Sequence, residues 1–326
     1  MMLVFVEIDA DGVTLTSREA ITFARDLAAR RSDPDLEAIV VGPFDDVRDA
    51  VLTELAAQGV TRLRHATHDA LGAYGAAAWA AAVVQSAPSA DLVVASGTPR
   101  GSEIMAHAAV RLDAVMAANV VAVQSTDPLV VSRQVLGGSA LEEMRLTGDV
   151  AVLTVAGHAV EPGQAATPTA PETESFTPEL TDRDLVGRVA RTEVSEGDDT
   201  SALTGARVVV GAGRGVGSAD GFGELLELVD LVDGALGVSR VVTSLGWRPH
   251  HEQVGQTGSR ISPDLYLACG ISGAIQHWAG CQSAKTIIAI NTDEDAPMVT
   301  RADYAIIGDL HEIVPAINEE IRRRAS

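Results

Sequence analysis

This chain has little cysteine, little aromatic side chain and almost no lysine, and each shortage excludes something. Two cysteines, Cys269 and Cys281, stand among 326 residues, with no Cys-x-x-Cys. They are too few for a disulfide framework, no run suits an iron–sulfur cluster, and both are expected as buried thiols. Aromatics make up 3% of the residues while small aliphatics abound, which suits closely packed α/β layers. No apolar run is both long enough and free enough of charge to cross a bilayer, so no membrane insertion is expected. The start, Met1-Met-Leu-Val-Phe-Val-Glu-Ile8, has no basic segment and enters a strand pattern at once. No secretory leader is expected there, and the protein is read as cytoplasmic.

The charge balance is one-sided. Of 24 basic residues only Lys285 is lysine, against 45 acidic ones, for a net charge of −21. Such a surface repels nucleic acid and anionic membranes. At molar ionic strength the Debye length falls to about 3 Å, so the self-repulsion is screened. A GC-rich genome can explain arginine over lysine but not the acidic excess, and the composition points to a halophile.

Strand-like and helix-like runs alternate. Leu3–Ile8, Leu36–Val41, Gly59–Arg64, Asp91–Ser96, Asn119–Gln124, Leu129–Leu136 and Val150–Val155 read as strands. Thr16-Ser-Arg-Glu19 fits a capping box opening a helix with Ala20, Phe23, Ala24 and Leu27 on one face. Val47–Ala57, Leu71–Gln85 and Ser102–Leu112 read as further helices. Glu174–Leu180 and Val186–Val194 read as late strands, and polar Ser195–Thr200 as a linker. The pattern then restarts with strands at Ala206–Val210, Ala235–Val238, Leu265–Cys269, Thr286–Ile290 and Tyr304–Ile307. Leu310, Ile313, Val314, Ile317 and Ile321 stripe a closing helix. The expectation is two doubly wound α/β domains with mainly parallel sheets, 1–195 and 205–326, joined by 196–204.

The chemistry concentrates in the second domain. Leu265-Tyr-Leu-Ala-Cys-Gly-Ile-Ser-Gly-Ala-Ile-Gln-His277 reads as buried strand, glycine turn and helix start. Gly270 and Gly273 allow a sharp turn and the close approach of a ligand, with Ser272 as N-cap. Val208-Val-Val-Gly-Ala-Gly-Arg-Gly-Val-Gly217 looks like a dinucleotide fingerprint, but Val216 stands where the third glycine belongs. His65-x-x-His68 and His250-His251 invite a metal, yet no Cys, Asp or Glu set completes either pair, and they are read as surface or loop histidines. No Gly-x-Ser-x-Gly or other nucleophile arrangement is present.

Together with Gly237-Val-Ser-Arg240, Gln253-Val-Gly-Gln-Thr-Gly258 and Ile288-Ala-Ile-Asn291, these motifs closely resemble the C-terminal FAD-binding domain of the electron transfer flavoprotein α subunit. The resemblance is dense from Gly205 to Glu320 and thinner but continuous from Leu3 to Val194. With the composition, it suggests a halophilic member of haloarchaeal type. It implies that Arg214 meets the phosphate region, where a guanidinium suits bidentate recognition. It places Ser239 and Arg240 at the flavin, where a fixed cation favours reduced, anionic forms. Val254, Gly255, Gln256 and Thr257 would wrap the isoalloxazine, with the Thr257 hydroxyl at the N5 edge. Ser272, Gly273, Ala274, Ile275, Gln276 and His277 would cradle the pyrophosphate and reach the flavin. Asn291, Asp309 and Leu310 would lie at the adenosine end, although Asp309 also suits an N-cap. The implied protein is an electron carrier rather than an enzyme. It would pair with a β subunit, take electrons from flavin dehydrogenases such as those acting on acyl-CoA, and pass them to a quinone oxidoreductase or another acceptor. The competing reading is an FAD- or NAD-dependent oxidoreductase with its own substrate site, which would need a positioned acid or base beyond His277.

The charge makes the first prediction. The midpoint of thermal unfolding should climb steadily from low salt to molar KCl as acidic self-repulsion is screened. A salt-independent midpoint would contradict the halophile reading.

Overall fold

Alternation along a strand decides which layer each side chain joins. In the first strand, β1 (Met2–Phe5), Met2 and Val4 enter one hydrophobic cluster and Leu3 and Phe5 another. All four residues are buried because both faces of the sheet are covered. The structure, a computed structural model, describes residues 1–31, 35–136, 140–157, 159–191 and 200–325. The chain divides into two compact units, Met1–Thr192 and Glu193–Ser326.

The first unit continues with β2 (Ile8–Asp9), β3 (Gly12–Val13), α1 (Leu15–Arg30), β4 (Leu36–Val41), α2 (Arg48–Ala57), β5 (Arg62–Ala66) and α3 (Ala76–Gln85). Then come β6 (Leu92–Ser96), α4 (Pro99–Arg111), β7 (Val115–Thr126), β8 (Leu129–Val135), β9 (Ala140–Arg145), β10 (Ala151–Val155) and β11 (Glu172–Phe176). Apart from the β2–β3 hairpin, they build a nine-stranded sheet in the order β11-β5-β4-β1-β6-β10-β7-β8-β9. The pairs from β11 to β7 are parallel, and β7-β8-β9 is an antiparallel meander.

Three expectations need correction here. The first helix is capped by Thr14, whose side chain accepts from the Ser17 amide, so Thr16 and Glu19 lie inside it. Ala140–Arg145 is a strand that sequence patterning missed. It is an edge strand of largely exposed, helix-favouring residues, held by pairing with β8 and by the Arg133–Glu142 ion pair. Residues 186–191 form no strand, and 192–194 lie outside the described residues. Irregular chain runs there instead, tied by the Val189 amide to the Tyr74 carbonyl.

The second unit runs α5 (Ser201–Gly205), β12 (Val208–Ala212), α6 (Gly223–Leu231), β13 (Ala235–Val238), α7 (Arg240–Ser244) and β14 (Leu265–Cys269). It ends with α8 (Ile275–Cys281), β15 (Thr286–Asn291), α9 (Pro297–Arg301), β16 (Tyr304–Ile307) and α10 (Leu310–Ala325). Its five strands, ordered β13-β12-β14-β15-β16, are parallel throughout. Of the expected linker, residues 196–199 lie outside the described residues. Leu203, on α5, is buried within this unit's core. One face carries Val210, Ala212, Leu267 and Cys269 beneath α6 and α10. The other carries Val209, Tyr266, Ala268 and Ala289 with Cys281 of α8 and Met298 of α9. The order reverses between β12 and β14, and in such sheets ligands sit at the carboxyl ends beside that point. Among the described residues, no helix is long and apolar enough to cross a membrane.

One ion pair in the first unit yields a pH prediction. Asp184 is buried and accepts from Arg111 of α4 and from the backbone and hydroxyl of Thr181. Burial alone would raise its carboxyl, but Arg111 and Thr181 outweigh that and hold it below the usual carboxylate range. A depressed folded pKa contributes stability above the unfolded value of about 3.9 and loses it as pH falls through the folded one. Asp184→Asn should therefore lower stability at pH 7 by on the order of 1–3 kcal/mol. The deficit against the parent should shrink in urea titrations as pH falls below the unfolded value of about 3.9 and Asp184 becomes protonated; a deficit independent of pH would refute the pairing.

Candidate functional site

Five strands of the second unit end on one cavity of about 590 Å³. That is within the usual range of small-molecule sites, roughly 300–1,000 Å³. Each strand contributes the residues that follow it. Arg214 and Gly215 come after β12, and Ser239 and Arg240 after β13. Gly270 to Ala274 follow β14, Asn291 and Asp293 close β15, and Gly308 to Leu310 follow β16. The loop 253–257 and the α8 residues Gln276 and His277 complete the wall.

The turns are held by backbone contact. The Gly213 amide donates to the Cys269 carbonyl at 2.9 Å and the Gly215 amide to the Gly270 carbonyl at 3.1 Å. Gly270 adopts φ +61°, and a Cβ there would stand 2.8 Å from Gly215 Cα. A Cβ on Gly273 would stand 2.3 Å from the Met298 amide nitrogen. These glycines make room for neighbouring chain, and both also line the cavity. Ser272 is exposed and caps nothing: α8 begins after Ala274 without a side-chain cap.

The wall loop is fastened to α8. The Gln256 amide donates to the Gln276 carbonyl at 2.7 Å, and Ile261 to Gly280 at 2.8 Å. Gln253, buried, accepts from the Thr243 hydroxyl and donates to the Thr257 Oγ1 at 3.1 Å. Thr257 thus accepts from within, and its hydroxyl proton is not used in that bond. Gln253 was missed in the sequence; a buried amide flanking a glycine loop was the available signal.

Charge in the cavity is sorted by strand. Arg214 and Arg240 belong to β12 and β13 at one end, and neither has an ion-pair partner among the described residues. Asp293 and Asp309 stand at the other end, by β15 and β16. Asp309 accepts from the His311 amide at 2.9 Å, so it caps α10 and also faces the cavity. Two buried polar atoms on the wall lack a hydrogen-bond partner, Ser239 Oγ and His277 Nδ1. Burial pulls the His277 imidazole down to about 4, with a weak Val254 backbone contact opposing, so the ring is neutral at pH 7. Burial pushes the Cys269 and Cys281 thiols up to about 12, and they stay protonated.

Fifteen of the sixteen residues singled out in the sequence line this cavity. Ile275 does not; its side chain is 62% exposed. The histidine pairs remain without metal ligands, and no cluster of three His, Cys, Asp or Glu residues that could hold a metal occurs among the described residues. His65 is no surface residue: it is buried in β5, with Nε2 2.8 Å from the Gly42 carbonyl and the ring edge-on to Phe44.

A parallel sheet whose order reverses above a cavity of glycine turns and unpaired guanidinium groups defines a nucleotide-binding doubly wound domain. Residues 202–282 match the family model described as the electron transfer flavoprotein FAD-binding domain, and 2–184 match the electron transfer flavoprotein domain. The chain is 36% identical to the electron transfer flavoprotein subunit alpha of Mycobacterium leprae, across 99% of this chain and 98% of that one. It is 33% identical to the Bacillus subtilis subunit across 93% of each. To that of Paracoccus denitrificans it is 37% identical across 74% of this chain and 76% of the other. The chain belongs to the electron transfer flavoprotein α subunit family, a family of electron carriers, and its cofactor is FAD.

The seam between the loop and α8 can be opened by one methyl group. A Cβ on Gly280 would stand 2.3 Å from the Gly255 amide nitrogen. Gly280→Ala should cost about 1–3 kcal/mol of stability and speed amide exchange at Gln256 and Ile261. Unchanged exchange at those amides would show that the contact does not hold the loop.

Proposed function

We propose that the second-unit cavity holds one FAD, with the flavin toward β13 and β12 and the adenosine toward β15 and β16. The observation that carries this reading is the strand order. It arrays Arg240 and Ser239, then Arg214, then the Ser272–Ala274 turn, then Asn291, then Asp309 and Leu310, in the order in which the parts of FAD follow one another. The residues present fit the group. The unpaired guanidinium groups of Arg214 and Arg240 suit a diphosphate and a ring that gains negative charge on reduction. The unpartnered Ser239 Oγ and His277 Nδ1 are buried groups that a polar ring edge would satisfy. Val254 to Thr257 bound the ring on its loop side, and the Thr257 hydroxyl offers the proton that Gln253 leaves free.

Bound FAD supplies the electron chemistry; the chain sets its potential and access. Arg240 supplies positive potential where reduction adds negative charge, while neutral His277 supplies a hydrogen bond without charge. The protein is a carrier without a substrate of its own. It pairs with a β subunit through the first unit, receives electrons from flavin dehydrogenases such as those acting on acyl-CoA, and delivers them to a quinone oxidoreductase or another acceptor. It works in the cytoplasm of a halophile, and the acidic composition supports that setting.

The test is purification with a β subunit in molar salt, followed by spectroelectrochemistry. FAD should be recovered at about one per chain; recovery of FMN or NAD alone would refute the reading. Arg240→Ala should still hold FAD but show a lower flavin potential, because the reduced anion loses about 1–3 kcal/mol of stabilisation at an effective dielectric near 20. Arg240→Lys should fall between the two. An unchanged potential in Arg240→Ala would make Arg240 a structural residue.

A further inference from the structure

Tyr266 is the one hydroxyl-bearing side chain in β14, and it is fully buried. Its oxygen lies 2.8 Å from His277 Nε2 in the cavity wall. His277 is the only hydrogen-bond partner of that hydroxyl among the described residues. A phenol has one proton to give and a neutral imidazole has one donor and one acceptor. If Nε2 carried the proton, the phenol would accept and its own proton would be left buried without an acceptor. With the phenol donating to Nε2, that proton is satisfied, and the imidazole proton must sit on Nδ1. Nδ1 is the buried ring atom that makes no hydrogen bond of full geometry, and the Val254 backbone contact also favours a proton on the ring. The low pKa of the imidazole agrees with a ring that is neutral rather than doubly protonated.

A second element shows that the pair is built rather than incidental. Gly211 lies beside β14 in the sheet, in register with Ala268. A Cβ on Gly211 would stand 2.3 Å from the Tyr266 hydroxyl oxygen. Only a residue without a side chain leaves the hydroxyl its seat. The first glycine of the failed dinucleotide fingerprint therefore serves Tyr266, not a phosphate.

We infer that Tyr266 is a positioning residue that holds His277 in the Nδ1-protonated, neutral tautomer, so that the cavity meets a hydrogen-bond donor without charge at this wall. The inference rests on the FAD reading of the cavity only for the acceptor, a polar edge of the flavin. It leaves Arg240 as the fixed positive charge on the flavin side.

Nitrogen-15 NMR of histidine-labelled full-length chain with its β subunit reads the tautomer directly, with His277 identified by loss of its signals in His277→Asn. The parent should show a protonated Nδ1 and a bare Nε2 at pH 7, with and without FAD. Tyr266→Phe keeps the ring but removes the hydroxyl. It should shift His277 toward the Nε2-protonated form and raise the FAD dissociation constant by roughly 3- to 10-fold. Gly211→Ala, which unseats the hydroxyl without deleting it, should move the tautomer in the same direction. A protonated Nε2 in the parent would overturn the inference even if neither variant folds. So would an unchanged His277 spectrum in Tyr266→Phe. A chain that takes up no FAD yet shows the expected tautomer and its shift in Tyr266→Phe would overturn the reading of the cavity and uphold the role of Tyr266.

Discussion

The second unit depends on two turns that touch backbone to backbone. The chain leaving β12 and the chain leaving β14 are joined by the hydrogen bonds from Gly213 to Cys269 and from Gly215 to Gly270. A side chain on either strand of this crossing would separate them, since a Cβ on Gly213 would stand 2.2 Å from the Gly270 carbonyl oxygen. The crossing lies where the strand order reverses, so the point that opens the sheet for a ligand is also the point where its loops are pinned. Everything that lines the cavity from β14 onward inherits its position from this contact: the turn 270–274, α8 and His277.

The electrostatics follow from that geometry. The chain carries −21 overall, yet the two arginines at the β12 and β13 end of the cavity are paired with no carboxylate among the described residues. Several arginines elsewhere are paired, as in Arg64 with Glu37, Arg111 with Asp184 and Arg248 with Glu252. A focused positive site within a negative protein also keeps its effect local when salt screens the exterior.

Much of this was legible in the sequence, and the rest fails for physical reasons. Buried parallel strands such as Leu265–Cys269 and Ala235–Val238 are continuous apolar runs, and their bounds were read from the chain directly. The edge strand Ala140–Arg145 was not, because its exposed residues carry no burial pattern and only its pairing with β8 makes it a strand. The cavity residues were legible as motifs. The purpose of the glycines was not: Gly211, Gly270 and Gly273 look alike in sequence, and only distances show that each yields space to a different protein group. Tyr266 was hidden for a related reason. Within an apolar strand an aromatic reads as core, and the histidine that gives its hydroxyl a role stands 11 residues away across a turn.

A division of labour follows for the side chains around the ring. A cation stabilises added negative charge but can be screened or compensated by solvent, whereas a neutral donor held by a buried phenol keeps its direction and cannot gain a proton near neutral pH. His277 is pulled far below neutrality by burial. The ring therefore stays neutral near pH 7. On the proposed placement of FAD, its potential is set by one fixed charge, Arg240, and one fixed dipole, His277. Both are positioned by turns whose geometry does not titrate.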